Sequence, residues 1–305
     1  MAPLQAWSSA RYTIPLPPNH RFPIEKYALL RDAALAEGLI EPGGMHEPER
    51  ARLDDLLLVH TQEYVQSIVD GTLSPAAQRA LGLPWSPELA ERSFRAVGGT
   101  CEAAVQALTA GVAINLAGGT HHAFPDRGEG YCVFNDIAVA IRRLQRQGRI
   151  VRAAIIDLDV HQGNGTHAIF QGDPLVYTMS MHGDRNYPFR KVPGSLDIEL
   201  ADGTGDDEYL ERLRAALPRI IESGRPDIVM YLAGADPLKG DRLGRLALTH
   251  AGLAQRDELV MEWCDSHSMP VTITIAGGYA SDIGETVAAH LNTVRVAGRL
   301  ASRRM

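Results

Sequence analysis

A single three-layer αβα domain with a mostly parallel, doubly wound sheet is the fold predicted for this chain of 305 residues, on two observations. Short β-branched apolar runs recur along it, and they alternate with longer stretches whose apolar residues return at helical spacing. Runs that are apolar on both faces must be covered on both sides, which calls for helices above and below one parallel sheet. The whole chain, residues 1–305, reads as one such domain, with no repeat and no low-complexity linker.

In chain order the elements are a helix over 25–36, a helix over 87–109, a strand over 112–116 and a helix over 136–147. Strands follow over 153–158 and 175–180, a helix over 207–222, a strand over 227–232, a helix over 249–264, a strand over 271–276 and a helix over 281–298. Asp136, Asp207, Thr249 and Ser281 stand where helix caps belong. Residues 71–86 and 183–205 are rich in Pro, Gly and small side chains and read as surface loops, the kind of segment that often carries a binding site.

Composition narrows the function. Apolar residues make up 45% of the chain, which excludes disorder, and the formal net charge of −7 disfavours binding to a phosphate backbone. Three cysteines, Cys101, Cys132 and Cys264, lack CxxC spacing, which argues against a disulfide framework and against a cysteine zinc site. Residues 1–10 show no basic region followed by an apolar run, so a cytoplasmic location is expected. The uncharged stretch 103–125 is interrupted by Gln106, Gly111 and Asn115 and by a Gly-Gly-Thr-His-His run, so no membrane span is expected there.

In open α/β sheets ligands sit beyond the carboxyl ends of the strands. After the 112–116 run come Gly118, Gly119, Thr120, His121 and His122, a tight turn followed by two imidazoles suited to proton transfer. After 153–156 come Asp157, Asp159 and His161, alternate residues that a strand's period of two places on one side. Neighbouring buried carboxylates are costly without a compensating cation. Asp236 follows the 227–232 run, and with Asp159 and His161 it makes an O, N, O set with open positions, suited to a catalytic zinc or ferrous ion. Gly277, Gly278 and Tyr279 close the last run, where glycine lets backbone approach a ligand and a phenol can polarise a carbonyl. Each feature alone has a bland reading, a surface histidine, a helix-capping or turn-opening Asp, a packed tyrosine; their common place at strand ends favours the chemical one.

With these residues in place the chain resembles the histone deacetylase superfamily, which has the arginase/deacetylase fold, and its class IV branch with bacterial relatives above all. The matching motifs are GGTHHAF, GYCVFND, IIDLDVHQGNGT, GTGDDEYL, AGADPLKGDRLGRL and IAGGY, in family order. The resemblance implies that Asp159, His161 and Asp236 hold zinc, that His122 is the general base and acid with His121 as its partner, and that Tyr279 stabilises the oxyanion. It further implies that Asp157 orients His121 and, with Ser180, holds a structural potassium ion. Gly130, Tyr131 and Tyr187 would border the substrate tunnel, and Arg21 would face the acyl cavity. Asn164 stands where class I enzymes carry an aspartate, and a neutral amide supports an imidazolium less than a carboxylate does. The acids of arginase's second manganese site are absent around His161 and Asp236, which makes ureohydrolase activity an unsuitable reading.

The implied reaction is zinc-dependent hydrolysis of an acyl amide, with an acylated lysine in a peptide or protein, acetyl or longer, as the expected partner. An acetylated polyamine or another small acylated amine presents the same bond, and a catalytically weak acyl-ligand sensor would carry the same residues. Neither nucleic acid nor membrane is an expected partner, and oligomeric state is not legible in the chain.

Overall fold

The computed structural model describes residues 4–304, so the first three positions of the N-terminal stretch and Met305 lie outside it. Among the described residues eight strands form one sheet: β1 (Ala6–Trp7), β2 (Met45–His46), β3 (Val112–Asn115), β4 (Ala153–Asp157), β5 (Val176–Gly183), β6 (Leu196–Leu200), β7 (Ile228–Ala233) and β8 (Val271–Ile275). Their order is β2-β1-β3-β8-β7-β4-β5-β6, and every pairing is parallel. The helices are α1 (Lys26–Ala36), α2 (Leu53–Leu56), α3 (Gln62–Asp70), α4 (Pro75–Leu81), α5 (Pro87–Ala110), α6 (Asp136–Arg146), α7 (Asn164–Phe170), α8 (Asp206–Ala216), α9 (Pro218–Glu222), α10 (His250–Ser266) and α11 (Ile283–Arg303).

The period of two along each strand separates two cores. Ala154 and Ile156 of β4, with Val229 and Tyr231 of β7, face the layer that includes α1, α8, α10 and α11. Ala153, Ile155, Ile228, Met230 and Leu232 face the opposite layer, built from α3, α5, α6 and their neighbours. Burial on both faces is what the apolar runs require, and it confirms the doubly wound αβα architecture.

Three expectations change. The segment 71–86 is not all loop, because Ser74 caps α4 by accepting from the Ala77 amide and Pro75 opens it. The segment 183–205 contains β6, which adds an edge strand to β5. The predicted helix over 207–222 is two helices, since Pro218 cannot donate an amide and restarts the turn as α9. The short strands β1 and β2 carry two residues each, too few to register as a periodic pattern.

Candidate active site

The strand ends deliver the predicted residues to one buried place, but by turns rather than by continued strand. β4 ends at Asp157, and Asp159 and His161 lie beyond it. There the Asp159 amide donates to Asp157 Oδ1 at 3.1 Å and the His161 amide to Asp159 Oδ1 at 3.0 Å. Each carboxylate thus ties down the backbone two residues on, as short acidic side chains do in turns. Neither aspartate caps α7, whose preceding residue is Gly163.

One ligand atom each from Asp159, His161 and Asp236 lies within 4.8 Å of the others, and all three residues are buried. His161 Nδ1 stands 2.9 Å from Asp159 Oδ1 and 3.2 Å from Asp236 Oδ2. The outer oxygens are satisfied by backbone: the Gly277 amide donates to Asp159 Oδ2 at 2.7 Å and the Val160 amide to Asp236 Oδ1 at 2.9 Å. Asp236 Oδ2, buried, accepts no hydrogen bond. Burial and then the charge on Asp159 push the Asp236 carboxyl up to about 7, while His161, whose charge burial opposes, is raised to about 10 by the two carboxylates. Two buried carboxylates and an imidazole aimed at one point, with an unsatisfied oxygen among them, fit a divalent metal with open positions. Gly277 belongs to this fit, because a Cβ there would stand 1.8 Å from Asp236 Oδ2.

The histidine pair is placed by a different turn. Gly119 has φ of +68°, a conformation natural to glycine, and the amides of Gly119 and Thr120 donate to the Asp136 carboxylate at the start of α6. His121 Nδ1 lies 2.6 Å from Asp157 Oδ2, and His122 Nδ1 lies 2.7 Å from Asn164 Oδ1. Burial opposes the charge of His121, yet Asp157 and then Asp159 outweigh it and raise the ring to about 9. His122 goes the other way, held well below the usual histidine range by burial and then by the charges on His121 and His161, which outweigh the hydrogen bond to Asn164 and the charge on Asp159. A neutral His122 whose Nδ1–H donates to Asn164 leaves Nε2 as a lone-pair acceptor.

Tyr279 faces the same cavity, its ring 6.5 Å from that of His161 and 5.9 Å from that of Tyr131, centre to centre. Its backbone is fixed by Asp241, which accepts from its amide at 2.6 Å, and by Arg242, whose Nε donates to its carbonyl at 2.8 Å. Burial, followed by the charges on Asp159 and Asp236, raises its pKa far above the ordinary tyrosine value, so the phenol keeps its proton and can donate.

Of the three residues expected to border a tunnel, Gly130 and Tyr131 line the cavity. Tyr131 has φ of +68°, unusual for a side-chain-bearing residue, and is held there by its amide donating to Leu81 O at 2.8 Å. Gly130 donates to Ala80 O at 3.1 Å, so the end of α4, inside the segment read as loop, positions this wall. Tyr187 packs edge-on against His122, with ring centres 4.9 Å apart, and its hydroxyl donates to Glu129 at 2.8 Å. Ser180 sits opposite Asp157 in the β4–β5 register, and its hydroxyl is 3.0 Å from His182 Nδ1.

Arg21 is a correction. It is exposed and does not line the cavity; the basic side chains that do are Lys26 and Arg92, both buried. The turn before α1 leaves residue 21 outside, whereas residue 26 begins the helix and enters the core, where Lys26 Nζ donates to Ala276 O at 2.9 Å. The sequence carried no separate signal for Lys26 or Arg92. Asp241 and Arg242 lay inside the AGADPLKGDRLGRL motif without a role assigned to them. The three cysteines are free and buried, in keeping with small apolar roles.

The chain matches the model of the histone deacetylase domain over residues 20–294. It is 46% identical over 279 residues to an uncharacterized protein of Picosynechococcus, covering 92% of this chain and 93% of that one. It is 33% identical to histone deacetylase 2 of Arabidopsis thaliana, over 93% of this chain and 76% of that one. Among solved structures, a histone deacetylase homologue complexed with SAHA superposes with a TM-score of 0.83 at 26% identity, covering 98% of this chain and 84% of that one. The homologue from Aquifex aeolicus gives a TM-score of 0.82 at the same identity and the same coverage. On the domain match and on these relatives, the chain belongs to the histone deacetylase family of amide hydrolases.

Proposed function

We propose that this protein is a zinc-dependent deacylase acting on N6-acyl-lysine, and the observation that carries the reading is the orphaned Asp236 Oδ2 converging with His161 and Asp159 beside a neutral His122 and a protonated Tyr279. Asp159, His161 and Asp236 would hold the ion; zinc bound there would polarise the scissile carbonyl and acidify water. His122 Nε2 takes the proton of the attacking water and passes it to the departing amine, while Nδ1–H stays on Asn164. His121, its charge favoured by Asp157, supplies a fixed positive field beside that proton. The Tyr279 hydroxyl donates to the oxygen on which negative charge develops. Tyr131 and Tyr187 flank the lysine stem. Asp157 and Ser180, register partners, belong to the proposed potassium site.

One observation bears on the substrate. Burial raises the pKa of Tyr131, and the charges that oppose this are Arg21 and Arg242; positive charge beside the tunnel wall disfavours a cationic polyamine. The test is product release by zinc-reconstituted protein from acetyl-lysine peptide, long-chain acyl-lysine peptide and acetylated polyamine, each with a chelator control. Chelator-sensitive cleavage led by an acyl-lysine peptide is expected. Binding of all three with turnover of none would replace the enzyme by an acyl-ligand sensor.

A further inference from the structure

We infer that Arg256 is a positioning residue for the metal ligands, acting through the backbone of the two strand ends that carry them. The inference rests on the reading of Asp159, His161 and Asp236 as the ligand set. Arg256, in α10, is only 1% exposed. Its Nε and Nη2 lie 2.9 and 2.8 Å from Asp257 Oδ1. Such a buried pair adds little net stability, because desolvation of both ions offsets their attraction. What the pair leaves over is Nη1, which donates to Gly234 O at 2.6 Å and reaches Leu158 O at 3.3 Å.

Those two carbonyls sit at the exits of β4 and β7. Leu158 immediately precedes Asp159, and Gly234 stands two residues before Asp236. The last backbone bond between these exits is Leu158 N to Leu232 O at 3.1 Å; beyond it the Val160 amide donates to Asp236 Oδ1 at 2.9 Å, and the single guanidinium nitrogen joins the two backbones through their carbonyls. Asp257 in turn is fixed by the Tyr231 hydroxyl from β7 and by Thr293 Oγ1 from α11 at 2.6 Å. The fork is therefore clamped from behind while its free nitrogen sets the spacing of the ligand-bearing turns. A lysine ammonium can oppose Asp257, but it lacks the planar fork that reaches the carboxylate and both carbonyls together.

The experiment uses the full chain with R256K and T293V. R256K keeps a cation facing Asp257 and gives up the bridge. T293V loosens Asp257 from the α11 side and leaves the carbonyl bonds untouched. Zinc affinity is measured by competition with a chromophoric chelator, geometry by the visible absorption of the cobalt-loaded protein, and stability by denaturant midpoint. R256K is expected to bind zinc about 10- to 100-fold more weakly, the usual effect of losing a supporting contact, with an altered cobalt spectrum. T293V is expected to lose stability and keep both metal readouts. Parent-like zinc affinity and spectrum in R256K overturn the inference, as does T293V weakening zinc as much as R256K does. Should R256K fail to fold, D257N is measured in the same way: a severalfold loss of zinc affinity supports the inference and an unchanged affinity overturns it. Asp236→Ala in the parent background separates the two levels, since zinc binding that survives it removes the ligand set rather than Arg256.

Discussion

In the proposed mechanism, Tyr279 and Asn164 are where single atoms would decide the chemistry. Burial and two neighbouring carboxylates keep the Tyr279 phenol protonated, and removing that one oxygen leaves the ring, the Asp241 and Arg242 anchors and the metal ligands in place. Tyr279→Phe should therefore keep folding and zinc content while lowering kcat by about 100- to 1,000-fold; a near-parent kcat in the panel assay would remove the hydroxyl from the reaction. Asn164 accepts from His122 without contributing charge. Asn164→Asp would favour the imidazolium, so His122 would become a competent base only at higher pH. The acid limb of the kcat/KM profile should move upward by about one pH unit or more, and an unmoved limb would mean that His122 does not set it.

At the scale of elements, the start of α6 is joined to the segment after α2 through His60. Its Nδ1 is 2.9 Å from Phe124 O, and its Nε2 accepts from the Asn135 amide at 3.0 Å, the residue that caps α6. That pattern requires the neutral ring, and burial lowers the pKa to about 4 against an ordinary value of 6.5. Between those two values the unfolded chain binds more protons than the folded one, so the contribution is complete above pH 6.5 and is lost as pH falls toward 4. The full loss is on the order of 3 kcal/mol. Denaturant midpoints at pH 7 and pH 4.5 should diverge in the parent and diverge less in His60→Gln, which cannot titrate. An equal divergence would show that the acid sensitivity lies elsewhere, for example at His182, which burial also lowers to about 4.

For the whole molecule, the proposed metal centre would link the sheet to its own stability. Asp159 and Asp236 arrive from β4 and β7, and Gly277 from the turn after β8 donates into the same cluster, so an ion there would tie together the exits of three adjacent strands. An ion that binds the folded chain alone stabilises it by about 2.7 kcal/mol at a concentration 100 times its Kd. Stripping the protein with a chelator should abolish turnover and lower the denaturant midpoint, and zinc should restore both. A midpoint indifferent to zinc would place the ion away from this cluster. Among the described residues no helix is long and apolar enough to cross a membrane.

Much of this was legible in the chain because its signals are local. Both-face apolar runs specified a parallel sheet covered twice, and Asp159, His161, Asp236, His121, His122 and Tyr279 were each marked by standing just past such a run. Long-range packing decided the rest. Whether a basic side chain near the N-terminus enters the cavity depends on which residue starts α1, and the helix turned Lys26 inward and left Arg21 outside. Tyr131 is held by hydrogen bonds to the end of α4, some fifty residues away in sequence, and the turns bearing Asp159 and Asp236 are bridged by an arginine in α10. Periodicity and motif order report which residues a strand or turn presents; only the packed structure brings distant backbone and side chains together, because their contacts depend on how separate elements meet rather than on any repeat within one of them.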